Sequence, residues 1–260
     1  LYVPVVFTFT PTAIGVTNNA NSMGTTGLVD KPAQGRVYRI KAEVDVWTES
    51  LKIWVDGVQS TNPGTGNEIF PFQKASLFDW YAIDRIYVGA AAFSKSAVGM
   101  GIDDIVVYTQ QAPAAPSPAP ATPTPVGAVF ALSDGFDEWT PGEITPDTTV
   151  NGWNFSSGVA GNPAEQVKFS VANTRMNQYL TIGRKAGATL PSMPVVSKTF
   201  SRMASKFVVE FSVMVPTSAT YYVKLEDSTN PSVPIQLVMT ATYIAVTNNA
   251  DSAAIFKLVN

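Results

Sequence analysis

Apolar and polar residues alternate one for one along VYRIKAEVDVW (37–47), with Tyr38, Ile40, Ala42, Val44 and Val46 on one side and Arg39, Lys41, Glu43 and Asp45 on the other. A period of two is the mark of a strand with one buried face. LKIWVDG follows, so the pattern predicts a hairpin turn at Glu49-Ser50. Asp56-Gly57 closes the next turn with residues that tolerate positive φ. IDRIYVG (83–89) and IDDIVVYT (102–109) supply two more strands, and PVVFTFT stands strand-like near residue 1. Further on, SDGFDEW (133–139) is expected to open with a short strand. A Gly/Asn/Pro/Thr-rich loop around Trp153 and Phe155 then runs to about residue 165, before QYLTIG, PVVSKTF, FVVEFSVMVP, TYYVKLED and VPIQLVMTA read as successive strands. The fold class expected is all-β: two antiparallel β-sandwich modules, or half-modules.

The sharpest punctuation is APAAPSPAPATPTP (112–125), in which six of fourteen residues are proline. Proline fixes φ and lacks an N–H, so this stretch reads as a semi-rigid spacer of roughly 40 Å at about 3.1 Å per residue, or as a disordered joint. Either way it separates 1–111 from 128–260, with 112–127 as the linker.

One phrase occurs twice: AIGVTNNANS (13–22) and YIAVTNNADS (243–252). Residues 1–30 and 231–260, aligned without a gap at a spacing of 230, agree at thirteen of thirty positions, including Val3-Pro4, Ile14, Val16 to Ala20 and Leu28-Val29. A fixed long period is the signature of a repeat architecture. On this reading 1–111 is the C-terminal part of one sandwich module and 128–260 the N-terminal part of the next, as if cut from a tandem array. Each half would expose apolar strands and open sheet edges unless a neighbouring module or chain completes it. Of two ways to do this, separate chains exchanging strands head to tail or one continuous giant chain, the duplicated segment favours the second. A mated sandwich would hold two candidates for the same strands. The Asn-rich turn itself is read as structural, because Asn accepts left-handed φ.

The order DGFDEW, VSKTF, KFVVEFSVMVP, then RVYRIKAEVD, KIWVDGV, IDRIYVG and GIDDIVVY resembles concanavalin-A-like, laminin-G-like jelly rolls, including carbohydrate-binding modules. The resemblance covers nearly all of the chain outside the linker. It implies first and last strands side by side with calcium near them, on Asp134 and Asp137 of the opening strand and Asp103 and Asp104 of the closing one. Calcium takes six to eight oxygens at 2.3–2.6 Å, which clustered aspartates and carbonyls provide. Because the two pairs belong to different modules, the complete site is expected to need a partner chain or the missing halves.

Composition then narrows the function. Hydrophobic residues make up 45% of the chain and charged residues 14%, and Thr, Val, Ser, Asn, Gly and Pro fill much of the rest, as strands and turns prefer. A net charge of −3 without a Lys/Arg cluster leaves no field for nucleic acid. No apolar run is long enough to span a bilayer, so no membrane insertion is expected. With neither Cys nor His there is no disulfide frame, ordinary zinc site, thiol nucleophile or Ser–His–Asp triad. Glycoside hydrolysis needs two opposed carboxylates. Glu43 and Asp45 share a strand face but lack a third acid at the spacing that the resembled hydrolases use, so no enzyme is expected. Trp153, Phe155, Trp80 and Tyr81 are candidate sugar-stacking rings in loops, although the large area of an aromatic favours core packing for each. The reading that results is an extracellular or cell-surface, bacterial-type structural repeat protein that partners with copies of itself in a fibre, filament or stalk. The alternative is a carbohydrate-binding module of a secreted polysaccharide-acting protein, with glycans as partners.

Overall fold

The computed structural model describes residues 6–9, 13–17, 25–30, 33, 35–61, 66–71, 82–90, 99–110, 128–158, 163–174, 177–188, 194–214, 221–228, 235–236 and 238–239. In the first segment the strands are β1 (Val6–Phe9), β2 (Ala13–Thr17), β3 (Thr25–Asp30), β4 (Val37–Asp45), β5 (Ser50–Val55), β6 (Val58–Gln59), β7 (Phe70–Pro71), β8 (Ile83–Ala90) and β9 (Met100–Gln110). In the second they are β10 (Ala128–Asp134), β11 (Gly142–Ile144), β12 (Thr148–Val150), β13 (Trp153–Ser156), β14 (Val167–Thr174), β15 (Asn177–Arg184), β16 (Val195–Met203), β17 (Lys206–Met214), β18 (Tyr221–Glu226), β19 (Ile235–Gln236) and β20 (Val238–Met239). One helical turn, α1 (Pro163–Gln166), precedes β14. Among the described residues no helix is long and apolar enough to cross a membrane.

These strands form an all-β structure of two sheets, antiparallel except where β1 runs parallel to β20. The first sheet has the order β12-β13-β16-β8-β18-β20-β1-β2-β3, with β19 also on β18. The second has the order β11-β14-β15-β9-β17-β4-β5-β6, with β10 on β9 and β7 on β5. Strands from before and after the proline-rich stretch are interleaved in both sheets. β17 lies between β4 and β9, pairing Phe211 with Ile40 on one side and Val209 with Val107 on the other. β8 lies between β16 and β18, with Val88 opposite both Val196 and Val223. Residues 112–127 themselves lie outside the described residues, but their flanks Gln110 and Ala128 are partners across the β9–β10 ladder. Gln110 and Ala128 thus lie about one strand spacing apart, near 5 Å.

The alternation of β4 becomes burial: Tyr38, Ile40, Ala42 and Val44 are buried, and the intervening residues are not. Their faces join Val107, Phe207, Val209 and Phe211 of the same sheet, against Ile86, Val88, Val196, Tyr221, Val223 and Leu225 of the other. Each large apolar side chain withdrawn from water in this way contributes about 1.5–3 kcal/mol. The expected turns form: Asp56 (φ 50°) and Gly57 (φ 80°) close β5 onto β6, and Glu49 (φ 47°) ends the turn into β5.

Two expectations are corrected. The opening strand of the second segment is Ala128–Asp134, so most of DGFDEW forms the turn after it. The expected loop to residue 165 contains β11, β12 and β13, the last two joined at Asn151-Gly152 with φ of 48° and 77°. An Asn-Gly pair between apolar residues is the strongest short hairpin signal.

Candidate functional site

β18 is the strand on which β1 of the first segment and β19 and β20 of the second meet. One edge pairs along its whole length with β8, from Tyr221 opposite Ala90 to Glu226 opposite Arg85. The Arg85 guanidinium stands 3.9 Å from the Glu226 carboxylate. Burial pushes the Glu226 carboxyl up to about 7, against the opposing pull of Lys224 and Arg85. Tyr221, Val223 and Leu225 face the core. The other edge of β18 is shared: β19, β20 and β1 all pair with it, and β2 and β3 continue the sheet from β1.

At one corner of the other sheet, β9 and β10 bring the four aspartates of the sequence reading into one sandwich without a partner chain, with Asp134 opposite Ile105. They do not converge. The Asp134 carboxylate accepts from the indole N–H of Trp153 at 2.6 Å and pairs with the Lys198 ammonium at 3.3 Å. Asp104, at φ 51°, and Asp137 flank Gly135, where a β-carbon would lie 3.7 Å and 3.6 Å from their respective carboxylates. Asp104 accepts from the Ser212 hydroxyl, and Asp137 from the backbone N–H of Gln178. Asp103 is 4% exposed and accepts from the Asn177 amide.

Among the described residues, no group of three or more acidic side chains is disposed to hold a metal. Asp103 Oδ1 and Gln178 Oε1 are buried oxygens without a hydrogen-bond partner. Oxygen donors suit calcium chemically, but Asp134 is spent on Trp153 and Lys198, and the four aspartates do not form one cradle. Asn177, Gln178, Ser212 and Lys198, which set this geometry, carry no signal in the sequence pattern.

Burial, and next to it the charges of Asp104 and Asp137, raise the Asp103 carboxyl to about 6, against hydrogen bonds from Asp104 and Asn177. A folded value above the unfolded value of 3.8 means that the folded state binds the extra proton. The associated stability is complete below pH ~4 and is lost as pH rises through about 6. Asp103→Asn keeps an acceptor for Asn177 and removes the charge. The variant is expected to be more stable than the unsubstituted chain at pH 7 by about 1–3 kcal/mol and to lack this slope between pH ~4 and 6. Urea melts across that range check it, and a lower stability at pH 7 would contradict it.

The candidate stacking rings divide. Trp153 and Phe155 are fully buried, both at 0% exposure, and neither offers a face to a sugar. They sit in a run of aromatic contacts: Phe136 to Trp139 (5.3 Å between centroids) and to Trp153 (5.7 Å), Trp139 to Phe155 (6.2 Å), and Phe155 to Phe169 (5.4 Å). Core packing accounts for them. Trp80 and Tyr81 lie outside the described residues. Trp47 is 82% exposed. Glu43 and Asp45 line one open groove, each held in an ion pair, with Lys41 at 2.9 Å and Lys206 at 3.2 Å.

Neither the protein-family models nor the curated proteins contain a match to this chain.

Proposed function

We propose that this chain is a structural or adhesive repeat unit of an extracellular fibre, filament or surface stalk, in which neighbouring modules or chains complete each half of a sandwich. The observation that carries it is the interleaving of the two segments. β17 has strands of the other segment on both sides, and so does β18, which pairs with β8 on one edge and β1 on the other. A half that cannot close its own sheets takes its complement from whichever copy stands beside it, and repetition at a fixed spacing places such copies in line. The β9–β10 pairing also supports a laminin-G-like jelly roll, since that resemblance implies adjacent first and last strands. Surface location fits a chain without cysteine, rich in Thr, Ser and Asn.

Negative-stain imaging and light scattering from low to high micromolar concentration test the reading. Fibres of regular repeat, growing with concentration, are the expected result. A monodisperse monomer throughout overturns it, and glycan retention by that monomer transfers the reading to a carbohydrate-binding module.

A further inference from the structure

The duplicated phrase and the shared edge of β18 are two views of one arrangement. Along that edge Leu225 faces Ile235, Lys224 faces Gln236, Val223 faces Phe7 and Tyr221 faces Met239. At the repeat spacing of 230, Phe7 is the equivalent of Leu237. Phe7 therefore stands at the rung that falls between Gln236 and Met239, in the register that both of them keep with β18. Beside it the two copies run parallel, with Thr8 opposite Val238 and Phe9 opposite Met239, each residue against its own repeat equivalent. Both copies thus meet β18 in one register. Register decides which face a strand buries, and the hydrogen bonds of a ladder come from backbone groups common to both copies. The edge reads either copy alike. Both copies stand at that edge in this structure, β19 and β20 on β18 with β1 beside β20, so the chain carries two equivalent strands for it.

We infer that this edge of β18 is a strand-exchange site whose exchange partner is the β1 segment of a second copy of the chain. The inference rests on the fibre reading above and supplies its joint. Exchange replaces one ladder by an equivalent one, so few contacts are lost, while each chain gives its β1 segment to one neighbour and receives one from another. Such head-to-tail contacts need not close, and they extend as a filament. The copy at 235–239 follows β18 after a short connection and competes for the edge at high effective concentration, so joining rises with chain concentration. Two candidates for one position, which the sequence alone presents as an obstacle to joining separate chains, become the means of joining them.

Full-length chains carrying Phe7→Cys and full-length chains carrying Val223→Cys test this directly, because the sequence contains no cysteine of its own. The two are unfolded together, refolded over a range of concentrations and oxidised in air. The expected product is a disulfide between positions 7 and 223 of different chains, identified by peptide mapping, in a yield that rises with concentration. Lys224→Cys in place of Val223→Cys points to the other face of the strand and is expected to give little adduct. As a second variant, Thr8→Pro blocks one copy only. It is expected to melt close to the unsubstituted chain, because 235–239 fills the edge, while failing to join. Absence of the interchain adduct at every concentration, with fibres still seen by imaging, overturns the exchange and leaves the fibre reading standing. Adducts without fibres do the reverse, and neither adducts nor fibres overturns both.

Discussion

Trp153→Ala is expected to cost about 3–5 kcal/mol of stability, the largest effect of any single substitution considered for this chain. The ring is fully buried, packs against Phe136 and donates its N–H to Asp134 at 2.6 Å. Its face also carries the Lys198 ammonium, 5.5 Å from the centroid. Truncation opens a cavity between the sheets and takes from the Asp134 carboxylate its shortest hydrogen bond, two costs that act together. Trp153→Phe refills most of the volume without the N–H and is expected to lose about 1–3 kcal/mol. Denaturant melts of the three proteins separate the contributions. A Trp153→Ala chain as stable as its parent would show that the ring is not a keystone of the core.

Dividing the chain is expected to abolish cooperative folding in both pieces. Residues 1–111 alone retain β4 and β9 but lose β17, which bridges them, and β8 loses the strands on both its edges. Residues 128–260 alone leave β16 and β18 apart and β17 without either neighbour. Each fragment is expected to show no sharp thermal transition by circular dichroism, and an equimolar mixture to restore one. Conformational entropy of roughly 1–2 kcal/mol per ordered residue is not offset by half a core. A sharp transition in either fragment by itself would contradict this and would remove the ground for reciprocal completion.

The strands were legible wherever alternation survives folding. Residues 37–45 and 83–90 read directly, and Asp56-Gly57 announced its turn. Legibility failed where the period breaks. Asp103-Asp104 look like a continuation of alternation, yet the ladder shifts register between Glu210 and Ser212, opposite a residue at positive φ. Asn151-Gly152 carried a hairpin signal, but the polar residues before Val150 and after Trp153 made the region resemble a loop, and Trp153 went with it. The candidate acidic site was legible in composition and not in aim, because the partners that turn Asp134 away lie 19 and 64 residues distant. Pairing was the least legible layer. Prolines mark where strands stop, but nothing local records that Gln110 and Ala128 face each other, or that Phe211 finds Ile40 across 171 positions. Those choices belong to the whole core.

The parallel run of β1 beside β20 has a mechanical meaning. Tension that enters ahead of Val6 and leaves behind Met239 drags these neighbours in opposite directions along their common axis. Their rungs then bear the load in shear, all at once, rather than tearing open one after another as in a peeled hairpin. A thread pulled lengthwise would be gripped hardest at the very place where residues 8–9 and 238–239 lie side by side.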